Sequence, residues 1–314
     1  MTSTRKIILF VGLSYGLAAL MAALMALSGL EFTGAVALVF SAAYMFTPLA
    51  AVAVVQRASG ERPLRGLGAG LRLNRWFAVA SVGALVLVLL STLAGFALPW
   101  HHFDPGVDAL LARFGELIPP EELAQVRAEL EALPVHPALL ALPQAVIAGA
   151  TVNALFAFGE EIGWRGLLHR ELAGLGLWRE SAIVGVLWGF WHAPIILLGH
   201  NYPEHPLPGV FLFVVICLLL SPLHTLVRRR SGSVWAAAIC HGTFNAAAGA
   251  PLLITAGGSD LTIGVTGLAG VLGMGAFNLG LAIWLWRRPG EPFPGASDDE
   301  VLRKNEAREA RESQ

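Results

Sequence analysis

Eight runs of apolar residues punctuate this chain, most of them near the length that crosses roughly 30 Å of hydrocarbon. They cover residues 7–27, 33–55, 76–98, 137–158, 181–198, 208–227, 233–255 and 262–286. A backbone in lipid has to satisfy its own polar groups, and an unalternating run of this length does so as an α-helix. The chain therefore reads as all-α, a polytopic integral membrane helical bundle of about eight transmembrane helices. Composition agrees where it bears on the surface. Only 14% of the 314 residues are charged, too few to cover a soluble domain of this size.

Positive charge tests the count independently. With the N-terminus placed in the cytoplasm, 19 of the 21 Lys and Arg residues fall in inner segments. They are Arg5 and Lys6, five arginines between Arg57 and Arg75, then Arg165, Arg170 and Arg179, then Arg228 to Arg230, and six residues from Arg287 onward. Only Arg113 and Arg127 lie outside. The asymmetry is that of an even number of spans with both termini cytoplasmic. Arg5 and Lys6 ahead of an apolar run resemble a secretory leader, but the run exceeds the usual leader core of about 7–15 residues and is read as the first span. A net charge of −1 argues against a nucleic-acid partner. Cys217 and Cys240 fall within spans and read as small apolar residues.

The chain divides into a three-span region (1–136), a five-span core (137–288) and a charged tail (289–314) expected to be disordered. The first region ends in an acidic external segment, 99–136, whose second half places Leu123, Val126, Leu130 and Leu133 on one helical face between Pro120 and Pro134. Small-residue spacings, Gly12 with Gly16, Gly185 with Gly189, and Gly264 through Gly273, read as helix packing.

Ionisable groups at membrane depth are costly, which makes them the informative residues. Three clusters qualify. In the first, Glu160 and Glu161 adjoin Arg165, and the four-residue spacing lets Glu161 pair with the arginine while Glu160 points elsewhere. In the second, His192 lies one turn after Trp188 and two residues before Pro194, where a kink is expected. In the third, His241 and Asn245 share one face. Each has a plain structural reading as an interfacial charge pair or a helix–helix hydrogen bond. Counted along their helices, however, all three reach similar depths from the cytoplasmic side, and could line one cavity opening there. His169, His200, His205 and His224 read as interfacial, and His101, His102 and His136 belong to the external segment.

Glu-Glu-x-x-x-Arg, Trp-x-x-x-His and His-x-x-x-Asn, in that order on successive membrane segments, resemble the CPBP family. That family groups type II CAAX prenyl endopeptidases with bacterial abortive-infection and lysostaphin-resistance or bacteriocin-immunity-type proteins. The likeness covers residues from about 153 to 247, and Trp188 stands where the family usually has Phe. The resemblance implies an intramembrane endopeptidase. In it Glu160 and His192 activate water, His241 and Asn245 stabilise the oxyanion, and Glu161, Arg165 and Trp188 support them. The implied substrate is a peptide or membrane protein; no cofactor is expected, with zinc left open because relatives were long taken for metalloenzymes.

Other readings compete. A zinc hydrolase would use Glu160, His192 and His241 as ligands, although the chain has no HExxH pair. An aspartyl protease needs two intramembrane Asp residues, and the spans hold none. A transporter would suit polar midplane residues, but the first four spans carry no counterpart of the later clusters. A non-catalytic peptide-binding or immunity protein could use the same cavity. The Ala- and Arg-rich, Lys-poor composition points to a bacterial plasma membrane.

Overall fold

The computed structural model describes residues 1–114 and 118–287, and the charged tail lies outside them. All eight apolar runs are helical. In chain order the helices are α1 (Ser3–Leu27), α2 (Gly34–Tyr44), α3 (Thr47–Ala58), α4 (Arg75–Phe96), α5 (Val107–Phe114), α6 (Leu123–Ala132) and α7 (Pro137–Ala150). They continue with α8 (Val152–Glu161), α9 (His169–Leu172), α10 (Leu177–Trp191), α11 (Ala193–Ile196), α12 (Pro206–Ser231), α13 (Val234–Ala247) and α14 (Leu268–Trp286). A two-residue pairing of β1 (His102–Phe103) with β2 (Thr255–Ala256) is the only sheet among the described residues.

Five segments are long and apolar enough to cross a membrane: α1, α2 with α3, α4, α12 and α14. A sixth is reached if α6 and α7, bent by 87°, count as one. The remaining runs of the expected eight are shorter helices, and local chemistry explains why. Pro143 sits inside α7, and Thr151, at φ −124° and ψ −100°, separates α7 from α8. Pro194 opens α11, and the backbone of α10 stops at His192, where the sequence predicts a kink. These interrupted segments are the ones that carry the polar clusters.

Helix ends are set by side chains chosen for the purpose. Asn74 accepts from the Trp76 amide at 3.0 Å, Ser233 accepts from the Trp235 amide at 3.2 Å, and Gly232 closes α12 in the left-handed region at φ 70°. Within the bundle α10 lies along α12, α4 along α14, and α13 against α4, α7 and α8. The close approach of α10 to α12 depends on Gly185 and Gly189: a Cβ on either would stand within 2.7 Å of an α12 backbone atom. Gly12 and Gly16 differ, with nothing within 4 Å of such a Cβ. The packing expected of them is not made among the described residues.

Contacts define the two ends of the bundle. At one end Glu61 pairs with Lys6 and with Arg170, Arg228 Nε donates to the Arg165 carbonyl at 2.9 Å, and Ser233 Oγ donates to the Gly70 carbonyl at 2.7 Å. At the other, Arg113 donates to the Thr255 carbonyl at 3.0 Å, Tyr202 to the Thr266 carbonyl at 2.6 Å, and His205 meets Asp260 at 2.7 Å. Helix α6 stands at this second end, with its apolar face half-buried and Arg127 paired to Asp108 at 2.7 Å. The Lys- and Arg-bearing segments gather at the first end.

Candidate active site

Glu160 and Glu161 close α8, and the chain then widens into a π-helical stretch over Ile162–Leu168. A π turn holds an extra residue, which re-aims the side chains on either side of it and is a frequent mark of functional sites. Both carboxylates are buried, but their surroundings differ. Glu161 Oε1 accepts from Arg165 Nη1 at 3.1 Å and from His241 Nδ1 at 3.0 Å. The same guanidinium donates to Ser221 Oγ at 2.8 Å and stacks 4.6 Å above the Trp188 ring. Glu160 Oε2 accepts from Trp188 Nε1 at 2.7 Å, the one side-chain donor to Glu160 among the described residues. Its other oxygen is left for a ligand or water.

The pairing of Glu161 with Arg165 is the one their spacing predicts. Neither lines the cavity beside them. That cavity, about 280 Å³, is lined by Glu160, Trp188, His192, His241 and Asn245, so residues from all three motifs meet in it. His192 Nδ1 lies 2.8 Å from the Trp188 carbonyl. A carbonyl can only accept, so the ring proton is on Nδ1 and Nε2 is the acceptor left to the cavity. His241 is oriented in the same way by Glu161, while Asn245, one turn on, is exposed at the cavity wall. Two glycines bring α13 this close. A Cβ on Gly242 would stand 2.8 Å from the Gly149 carbonyl, and one on Gly149 would stand 2.4 Å from Thr243 Cα.

Several members escape the motif reading. Tyr44, with Ser41 and Met45, brings the end of α2 into the cavity wall, and its hydroxyl donates to the Trp191 carbonyl at 2.7 Å. His200 also lines the cavity. His224, expected at an interface, is fully buried beneath the site, with its ring centroid 5.6 Å from that of Trp188 and 5.7 Å from that of His241. The sequence does hold a signal for it. Ser221, His224, Thr225 and Arg228 form a polar stripe at helical spacing in the otherwise apolar α12.

The zinc reading needs Glu160, His192 and His241 to converge. The buried group whose ligand atoms do come within 4.8 Å of one another is instead Glu161, His224 and His241. Its carboxylate already holds the Arg165 guanidinium, which opposes a further positive charge. Glu160, His192 and His241 do not form such a convergent group among the described residues.

The cavity also has a direction. Beyond the motif residues its lining continues through His200, Asn201, Ala248 and Thr266, which belong to the end of the bundle away from the arginines. None of its lining residues comes from the arginine-bearing loops. The arginine-bearing segments and this part of the cavity lining therefore lie toward opposite ends of the described bundle. The helical path bearing Glu160 does not end with α8 but continues to Leu172, which sets Glu160 deeper in the bundle than a span end.

A family model described as type II CAAX prenyl endopeptidase Rce1-like matches residues 142–247. The matched stretch runs from within α7 to the end of α13 and contains every motif residue named above. It agrees with the resemblance drawn from the motifs. With the apolar helices, it supports an integral membrane peptidase of the CAAX-protease type, a family that acts on a peptide or prenylated protein. No curated protein and no solved structure matches the chain.

Proposed function

We propose that this chain is an intramembrane endopeptidase in which Glu160 and His192 activate a water and His241 with Asn245 holds the oxyanion. The observation that carries the reading is the convergence of those four side chains on one cavity, with a Glu160 oxygen open to it. Water bound between the free Glu160 oxygen and His192 Nε2 gives a proton to Glu160 as its oxygen attacks the scissile carbonyl carbon. The Trp188 indole fixes the carboxylate for that transfer. The tetrahedral oxyanion is met by the Asn245 amide and by His241 Nε2–H when that ring carries both protons. Collapse breaks the C–N bond, and Glu160 returns its proton to the leaving nitrogen, giving a carboxylic acid, which then ionises to solvent, and an amine. Glu161 and Arg165 keep His241 and Trp188 in place. No cofactor takes part.

The setting proposed is a bacterial plasma membrane, with both termini and the arginine end in the cytoplasm. Wild type and Glu160→Gln, purified in detergent, would be offered quenched-fluorescent peptides with and without a prenyl group. Cleavage by wild type that survives exhaustive chelation and disappears in the variant is the expected result. Full turnover by Glu160→Gln would sink the mechanism. Loss of activity on chelation would return the metal. Folded protein that binds the peptides without cutting them would favour a peptide-binding or immunity role.

A further inference from the structure

The cavity and the charge of the chain point in opposite directions, and their combination says where a substrate comes from. A second hollow of about 400 Å³ shares Asn201, Ala248 and Thr266 with the first and is rimmed by Arg113, Glu204 and Asp260. The two hollows adjoin and lead from Glu160 toward the end of the bundle opposite most of the arginines. At that end stand nine described carboxylates, Glu31, six between Asp104 and Glu131, Glu204 and Asp260. Against them are the two arginines Arg113 and Arg127, an excess of seven negative charges. Both arginines are engaged, Arg113 with the Thr255 carbonyl and Arg127 with Asp108. The positive-inside rule puts this acidic end on the outer face of the membrane.

We propose that the site is entered from the outer face and that its substrate is a cationic stretch of polypeptide presented there. This rests on the peptidase reading above. An end with a net excess of negative charge steers opposite charge toward it and raises the local concentration of such a chain. The attraction acts on encounter and binding, not on the bond that is cut, so it appears in KM and weakens with salt.

The side of entry can be tested without any activity. Cys217 and Cys240 are both buried, which makes the native chain a low-background host for single cysteines. Glu204→Cys at the rim of the second hollow and Arg62→Cys at the opposite end are both exposed positions. In intact cells expressing the full chain, a membrane-impermeant maleimide is expected to label Glu204→Cys directly and Arg62→Cys only after permeabilisation. The reverse pattern would overturn entry from the outside. The charge of the substrate is tested by binding to Glu160→Gln in nanodiscs, so that a failure of catalysis does not mask it. Two peptides with one core, flanked by Lys or by Glu, are compared at low and high salt. The Lys-flanked peptide is expected to bind roughly tenfold tighter at low ionic strength, with the gap closing as salt rises. Equal binding at all salt concentrations would overturn the cationic substrate.

Discussion

Adjacent glutamates with opposite duties make the sharpest residue-level contrast. Glu160→Gln keeps the shape and the Trp188 contact but removes the base, and cleavage is expected to fall by about 10²–10⁴-fold with little change in melting temperature. Glu161→Ala strips the buried Arg165 of its carboxylate, and the expected result is a loss of about 3–5 kcal/mol in denaturant unfolding. A variant pair in which Glu161→Ala is as stable as wild type would refute this division. Beneath them, Glu161 Oε2 and His224 Nε2 have no hydrogen-bond partner among the described residues, while His224 Nδ1 is held 3.1 Å from the Leu220 carbonyl. Ligand atoms of Glu161 and His224 lie within 4.8 Å of one another, and two unpartnered buried acceptors call for a donor. A high-resolution map should show an ordered water bridging the two, and an empty site would refute it. The motif residues were legible because charge at membrane depth is conspicuous. His224 was not, because one histidine near a helix end reads as interfacial until the stripe it shares with Ser221 and Arg228 is seen.

Among the helices, the crossing of α7 and α8 over α13 decides whether His241 reaches Glu161. Gly242→Ala would push a methyl into the Gly149 carbonyl and the Ala154 amide, the latter 2.9 Å away. The expected cost is about 1–3 kcal/mol of stability in thermal unfolding, with a loss of cleavage. Gly12→Ala meets nothing among the described residues, and is expected to leave both unchanged or to gain slightly from helix propensity. Sequence spacing made Gly12 with Gly16 look equivalent to Gly185 with Gly189, since spacing does not say which face a neighbour covers. The helical class and the approximate limits of the apolar runs were readable from length and hydropathy. The breaks at Thr151 and His192 and the π turn after Glu161 were harder. Only Pro194 announces one of them, and the others arise from tertiary packing around the site.

For the molecule as a whole, the arginine end is tied together by Glu61, which joins the start of α1 through Lys6 to the segment after the π turn through Arg170. Burial pushes the Glu61 carboxyl up, but its bonds to Arg170 and Lys6 outweigh this and hold it below its ordinary value of 4.5. A depressed carboxyl stabilises the fold above its unfolded value and loses that contribution as pH falls through the folded one. Melting curves of wild type and Glu61→Gln should therefore differ most near neutral pH and converge below about 4.5. A gap that persists or widens in acid would contradict the assignment. Tyr44, Ser41 and Met45 bear on a different question. The matched stretch begins at residue 142, yet part of the cavity wall comes from α2. On the proposed mechanism the groups that move protons all lie in the matched stretch, whereas part of the wall that would meet a substrate lies outside it. Substitutions in α2 can change what fits without disturbing how bonds are broken, which leaves one chemistry free to serve a drifting range of substrates.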